Sequence, residues 1–460
     1  MRAILDIELT LGEIISATEA FDKKKDKSKI IKAITTDTRE MEKGDLFIAI
    51  PGTNYDGESF CRHAKNMGCE FISAKDKNGL LVKNTKKALL SISGLYKSKL
   101  ANIKHTVAIT GSVGKSTTKE MLGAMLRGKR AHITNKNYNN YIGLSHTILT
   151  APRDTEYLVA ELGTNHMGEI SEMSIALNPN VAIITKIGTS HIGNFGSREM
   201  IAAAKLEIQD GLKKNGTLLI PEGEPLLPHK CGSKTVSIDY EYADYSLTEL
   251  ETSNMRSELK FTEKDKASAI GERRIYGRGN LQSLAFASAA MRESGFSVKD
   301  VVERFSFVSN KNTRQNVCTW QNKIVINDSY NASFESIINS FEFMGYYPGR
   351  RCAVLGDVLE LGRKTEKIHY NIGVEAKKHG IELLFLFGVY APFIAQGAIA
   401  AGIPQEKIFV QTDTTKTDLI IDIIKSNTAS YDVILFKASH GCGFSKLCQK
   451  LIAEDVSDVR

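Results

Sequence analysis

The sequence predicts an α/β protein of three domains: a small N-terminal unit, a central unit whose mostly parallel sheet carries a P-loop, and a C-terminal Rossmann-like, doubly wound unit. Three observations predict it. The chain has 460 residues, too many for one core and enough for about three domains of ~150 residues each. Short apolar runs rich in Val and Ile alternate with stretches of helical periodicity, the pattern of parallel strands covered on both faces. The stretch HTVAITGSVGKSTT, His105 to Thr118, reads as a strand, a glycine turn and a helix start.

Residues 1–100 form the first expected domain, with strands in KAITTDTR, GDLFIAI and CEFISAK and helices around Phe60 to Met67 and Lys86 to Lys99. Residues 101–310 form the second. It repeats strand, loop and helix: VAIT; YLVAEL with Glu161 at its end; VAIITKI running toward His191; a helix from Arg198 to Leu212; TLLI; an irregular insert through 230–275; and a helix from Leu281 to Glu293. Residues 311–460 form the third, with strands KIVIND, RCAVLGD, LLFLFG, KIFV and DVILFK separated by helices such as Thr365 to His379. Ligands gather at the carboxyl ends of strands in such sheets.

Composition excludes several classes. With 42% hydrophobic and 25% charged residues the chain is neither disordered nor fibrous. The net charge of +7 is spread along the chain, and the densest basic run, Lys23 to Lys27, lacks interleaved aromatics, so no nucleic-acid partner is expected. Seven cysteines without CxxC spacing argue against a zinc site or a disulfide framework. Residues 1–15 carry three acidic side chains where a secretory leader needs an apolar core, and no 18-residue apolar run follows, so no membrane insertion and a cytoplasmic location are expected.

The candidate chemistry sits at strand ends. In Gly111-Ser112-Val113-Gly114-Lys115-Ser116-Thr117 the glycines let backbone N–H groups turn toward a phosphate, the helix N-terminus favours anions, Lys115 adds a point charge, and the Ser116 hydroxyl suits Mg²⁺. Ile109 stands where the longer form of this loop has its first glycine. Glu161 ends an apolar strand, a costly place for a carboxylate unless it faces a ligand, metal or cation. His191 follows the next strand and could ligate a divalent ion. Lys205 lies among alanines in IAAAKLEI, where a lysine can simply snorkel outward. Asp328, Asp357 and the run Lys437 to His440 end three strands of the C-terminal sheet and suggest a second ligand face.

Assembled, these residues resemble the Mur ligase family over all three domains. The resemblance is carried by Asp37-Thr38-Arg39, Gly44-Asp45-Leu46-Phe47, Asp56-Gly57, the phosphate loop, Asn139-Asn140 with Ile142-Gly143, Glu161 through Ile170, His191, Ala204-Lys205 with Glu207-Ile208, Asp328 through Ala332, and Leu355 through Gly362. Asn165, His166 and Glu169 point to those members that add D-Ala-D-Ala to UDP-MurNAc-tripeptide in peptidoglycan synthesis. The resemblance implies ATP and Mg²⁺ as cofactors, and a monomer that activates a carboxylate as an acyl phosphate. It implies that Lys115 and the loop amides hold the β- and γ-phosphates, and that Ser116 and Glu161 hold one Mg²⁺. His191 would hold a second, helped by a carbamate on Lys205, whose formation turns a positive charge negative where cations crowd. Asn280, Arg314, Asp328 and Asn331 would contact the nucleotide, and Asp37, Thr38 and Arg39 the UDP end of the acceptor. Asn139, Asn140, Asn165 and His166 would face the acceptor substrate. This sequence departs from the family pattern at Gly279, Phe334 and Ala438-Ser439-His440, where His, Pro and Gly-Ser-Arg are usual. A sister ligase acting on another acceptor or adding one amino acid, and a nucleotide-binding protein without ligation, are the alternative readings.

Overall fold

The structure is a computed structural model that describes all residues except 23–24, 53–54, 228–231, 254–255, 274, 310–314, 415–416 and 458–460. Its strands fall into three sheets. The first comprises β1 (Arg2–Thr10), β2 (Ile30–Thr35), β3 (Leu46–Ile48), β4 (Glu70–Ser73) and β5 (Leu80–Leu81), in that order. Only β1, absent from the expected set, runs antiparallel to its neighbour, and it does so at the sheet edge.

The central sheet has nine strands: β6 (His105–Thr110), β7 (Ala131–Ile133), β8 (Tyr157–Glu161), β9 (Val181–Ile184), β10 (Thr217–Pro221), β11 (Ser233–Ile238), β12 (Tyr245–Ser253), β13 (Arg256–Glu263) and β14 (Ala267–Arg273). Their order is β14-β13-β12-β11-β10-β9-β6-β8-β7. Pairing is parallel from β7 through β12, and the strand carrying the phosphate loop lies between those leading to Glu161 and His191. That placement alone brings three distant sequence stretches to one sheet edge.

Within the stretch 230–275, expected to be irregular, the described residues are instead regular: β12, β13 and β14 form an antiparallel meander that extends the sheet. Its strands alternate polar and apolar residues, as in β13, where Leu259 and Phe261 are buried and Glu258, Lys260 and Thr262 are half-buried, so they lack the continuous apolar runs that mark the parallel strands. The expected helix Arg198 to Leu212 is α-helical only over Arg198–Leu206 and tightens into a 3₁₀ turn over Glu207–Gly211.

Both faces of the central sheet are covered. On one, Met121, Leu122 and Met125 of the helix Lys115–Met125 share a buried cluster with Leu284, Phe286 and Met291 of the helix Arg278–Glu293. On the other, Leu89 and Ile92 of the helix Thr85–Ser98 pack with Leu144, Ile148 and Ile170. Tyr96, wholly buried, donates to Ala151 O at 2.9 Å and pins that helix to the central unit.

The third sheet comprises β15 (Asn316–Trp320), β16 (Lys323–Asn327), β17 (Arg351–Gly356), β18 (Ile381–Phe387), β19 (Ile408–Gln411) and β20 (Val433–Lys437), in the order β15-β16-β20-β17-β18-β19. It is parallel except for the edge strand β15. Among the described residues no helix is long and apolar enough to cross a membrane.

Candidate active site

The phosphate loop is held by the strand beside it. Gly111 has φ 144°, and a Cβ there would fall 1.9 Å from Thr185 Oγ1, so no other residue fits without displacing the neighbouring strand end. Thr185 Oγ1 donates to Val113 O at 2.6 Å, Ser112 N to Lys186 O at 2.8 Å, and Gly188 N to Ser112 Oγ at 2.9 Å. Gly114, at φ 94°, turns the chain into the helix Lys115–Met125, and Lys115 Nζ donates to Gly111 O at 2.6 Å.

Glu161 stands beside that helix start and is 1% exposed. Its carboxylate accepts from Ser116 Oγ at 2.7 Å and from Asn139 Nδ2 at 2.9 Å, while its own N–H donates to Thr134 Oγ1 at 3.1 Å. Among the described residues it forms no ion pair. A buried carboxylate with only neutral donors is strongly stabilised by a cation. The described residues contain no group of three or more His, Cys, Asp or Glu able to cage an ion. That donor set, one carboxylate and one hydroxyl at a phosphate loop, fits Mg²⁺, which keeps waters and takes phosphate oxygens instead of an all-protein shell.

Lys205 does not snorkel. It is 4% exposed on the helix Arg198–Leu206, with no ion-pair partner among the described residues. Burial, with the charge of Lys115 nearby, pushes its amine well below the ordinary lysine range. His191 sits at φ 60° beyond β9, and its Nδ1 meets the Glu360 carboxylate that follows β17. Burial pushes its imidazole pKa down, Glu360 opposes that, and Lys115 and Lys205 reinforce it. The neutral ring that results is the form that ligates a metal.

These groups line one cleft of about 1010 Å³, which draws residues from the helix Thr85–Ser98, from the central sheet and from the third sheet. Lys86 enters from the first unit, and Asp328, Asn331, Lys437 and His440 from the third. Of the residues expected in the site, Ser112, Gly114, Lys115, Ser116, Thr117, Asn139, Asn140, Glu161, Asn165, His191, Lys205, Asn280, Asp328 and Asn331 line it. Asn140 also caps the helix Tyr141–Leu149, accepting from Gly143 N at 2.9 Å. Asn280 is half spent internally, its Nδ2 donating to Tyr276 O and to Gln315 Oε1, both at 2.8 Å.

Others lie elsewhere. Gly111 supports the loop from behind. His166 is exposed beside Glu169, with Nδ1 at 3.5 Å from its carboxylate. Asp37 and Arg39 pair with each other at 2.6 Å, away from the cleft lining, as is Thr38, and the Arg39 guanidinium holds the Asp37 carboxyl far below its usual range. Arg314 lies outside the described residues.

The second ligand face is smaller than expected. Lys437 and Asp328, at the ends of adjacent strands β20 and β16, form a buried pair at 2.7 Å, and Ser340 Oγ donates to Asp328 at 2.6 Å. Asp357 is not part of that face: it accepts from Val389 N and Tyr390 N, both at 3.0 Å, and so anchors the turn before the helix Ala391–Ala400. Its carboxylate is used up by backbone amides. Glu360, by contrast, touches His191 across the interface between the central and C-terminal units, and no local pattern marks it for that.

Three family models match the chain: "Mur ligase family, catalytic domain" over residues 30–129, "Mur ligase middle domain" over 109–291 and "Mur ligase, glutamate ligase domain" over 313–440. These matches, on a chain that carries the phosphate loop and the buried carboxylate, indicate an ATP-dependent ligase. The chain belongs to the Mur ligase family. It is 34% identical over 443 residues, 93% of this chain and 94% of the other, to the UDP-N-acetylmuramoyl-tripeptide–D-alanyl-D-alanine ligase of Bacillus subtilis. Among solved structures it resembles MurF of Acinetobacter baumannii, with TM-score 0.87, 27% identity and coverage of 97% of this chain and 99% of that one. It also resembles MurF of Thermotoga maritima in complex with ADP, with TM-score 0.78, 25% identity and coverage of 92% and 97%.

Proposed function

We propose that the chain joins D-Ala-D-Ala to the terminal carboxylate of UDP-MurNAc-tripeptide with ATP, a step of peptidoglycan precursor synthesis. The observation that carries the reading is Glu161, buried between Ser116 and Asn139 at the mouth of the phosphate loop. The full-length similarity to D-alanyl-D-alanine ligases supports the choice of acceptor and dipeptide.

Lys115 and the amides of Ser112 to Thr117 hold the β- and γ-phosphates, next to the Ser116 hydroxyl and the Glu161 carboxylate, which together would hold Mg²⁺. His191 and Lys205 face the same space and would hold a second ion. The lowered amine of Lys205 is the form that adds CO₂, losing a proton to become a carbamate. Bound there, the metal ions supply neutralisation of charge on the transferring phosphoryl group.

The tripeptide carboxylate attacks the γ-phosphorus in line, an O–P bond forms as the bond to ADP breaks, and an acyl phosphate results. The free amine of D-Ala-D-Ala then attacks the acyl carbon, losing a proton, and phosphate leaves. Asn280, Asp328 and Asn331 would contact the nucleotide, as would Arg314 by the family resemblance. Asn139, Asn140, Asn165 and His166 serve the acceptor, and Asp37, Thr38 and Arg39 its UDP end. Three domains, 1–100, 101–310 and 311–460, each hold one substrate portion, so that rate comes from positioning. ATP and a UDP-linked acceptor both fit a cytoplasmic, monomeric enzyme.

A ligation panel read by mass tests the reading. With UDP-MurNAc-tripeptide, ATP and Mg²⁺, D-Ala-D-Ala should give the pentapeptide product with one ADP each, and single amino acids none. Product from a single amino acid, or from none of the acceptors, would assign the cleft to another activity.

A further inference from the structure

Lys119 is buried completely on the helix that begins at the phosphate loop, one turn beyond Lys115 and Ser116. Its ammonium does not point at the cleft. It donates to Thr134 O at 2.9 Å and to Lys136 O at 2.6 Å, and pairs with the half-exposed Glu120 at 2.9 Å. Both carbonyls belong to the segment that follows β7 and delivers Asn139.

That segment is unusually constrained. Lys136 holds φ 48°, a region that disfavours side chains. Asn139 N donates to Asn137 O at 2.7 Å, and Asn139 O accepts from Gly163 N at 2.7 Å. A Cβ on Gly163 would lie 2.9 Å from Asn139 Cγ, so the two stretches touch closely. At the far end Asn139 Nδ2 reaches Glu161, and Thr134 Oγ1 takes the N–H of Glu161. The segment is therefore clamped at two points, by Lys119 from the phosphate-loop helix and by Glu161 from β8.

We infer that Lys119 is a positioning residue for the carboxylate site: by holding the carbonyls of Thr134 and Lys136 it keeps Asn139 on Glu161, and so sets the direction in which the free lone pairs of Glu161 face. The inference rests on the proposed role of Glu161 in holding Mg²⁺. A lysine suits the task because one ammonium serves two backbone carbonyls and a carboxylate at once. Groups that orient a metal-binding side chain from behind commonly change metal affinity by about 10–100-fold when removed.

Lys119→Met, Asn139→Ala and their double variant test this in the full-length enzyme. Lys119→Met should raise the free Mg²⁺ needed for half-maximal ADP release by about tenfold while KM for D-Ala-D-Ala stays unchanged. In the nucleotide-free protein, amide hydrogen exchange should quicken over 134–140 and not over 107–113. The double variant should be no worse than Asn139→Ala by more than about twofold, because one route is being cut twice. Additive losses, or an unchanged Mg²⁺ requirement, overturn the inference. Lys119→Gln, which keeps a donor for one carbonyl, should fall between wild type and Lys119→Met. If neither Lys119 variant folds, Lys119 is a core residue and the inference fails. A wild-type enzyme whose turnover ignores Mg²⁺ would instead sink the proposed role of Glu161, before any Lys119 variant is measured.

Discussion

Lys205, buried, and Lys97, half-buried, both lack an ion-pair partner among the described residues, and they differ in what their surroundings do. Lys205 faces the cleft, where burial and the charge of Lys115 lower its amine pKa and so favour the neutral form that the proposed carbamate needs. Lys97 lies where the helix Thr85–Ser98 meets Asn178, donating to its carbonyl at 3.2 Å, and burial with Lys213 nearby pushes it from 10.5 down to about 8. The charged form is thus penalised only in the folded state. Below about pH 8 the full cost is present; between there and 10.5 the unfolded chain binds more protons, so stability rises with pH until the cost is gone. Lys97→Met should raise Tm at pH 7, and the gain should vanish by about pH 10.5; a gain independent of pH would refute the assignment. Neither environment is legible in the sequence, because KKALLSISGLYKS and IAAAKLEI do not say what packs over them. Glu161 is legible, since a carboxylate that ends an apolar strand must meet something polar there.

At the scale of elements, what converges on the cleft does so because β6 sits between β8 and β9. Alternating apolar runs and helical stretches reveal the strands but not their order, which depends on long-range pairing. The meander β12 to β14 and the edge strands β1 and β15 escape the pattern for a related reason: antiparallel and edge strands bury one face or less, and their polar residues resemble loops. The join between the central and C-terminal units is likewise tertiary. Gly193 N donates to Glu360 O at 2.9 Å, and a Cβ on Gly193 would lie 2.7 Å from that oxygen and 2.8 Å from Gly362 N. This contact sits beside the His191–Glu360 pair. Gly193→Ala should therefore hold the C-terminal unit off, lowering kcat by about tenfold or more, with ADP affinity, measured by calorimetry, changed far less. Equal losses in both would place the effect in the nucleotide site instead.

For the whole molecule, the cleft is a product of three units meeting, and the chemistry proposed for it is the activation of one carboxylate by one phosphoryl group. A nucleotide-binding protein would need the loop alone; a ligase needs the loop, a buried carboxylate for the metal and space for an acceptor, and Lys115, Glu161 and Lys86 line the same cleft from two units. The departures at Gly279 and His440 fall on the cleft lining as well, and the central proposal is that this cleft activates the carboxylate by phosphoryl transfer. Isotope transfer tests that claim most directly. With both oxygens of the tripeptide's terminal carboxylate labelled with ¹⁸O, turnover with ATP and D-Ala-D-Ala should release phosphate carrying one ¹⁸O atom, because the carboxylate oxygen that attacked phosphorus leaves with it. Amide product accompanied by unlabelled phosphate would contradict the account.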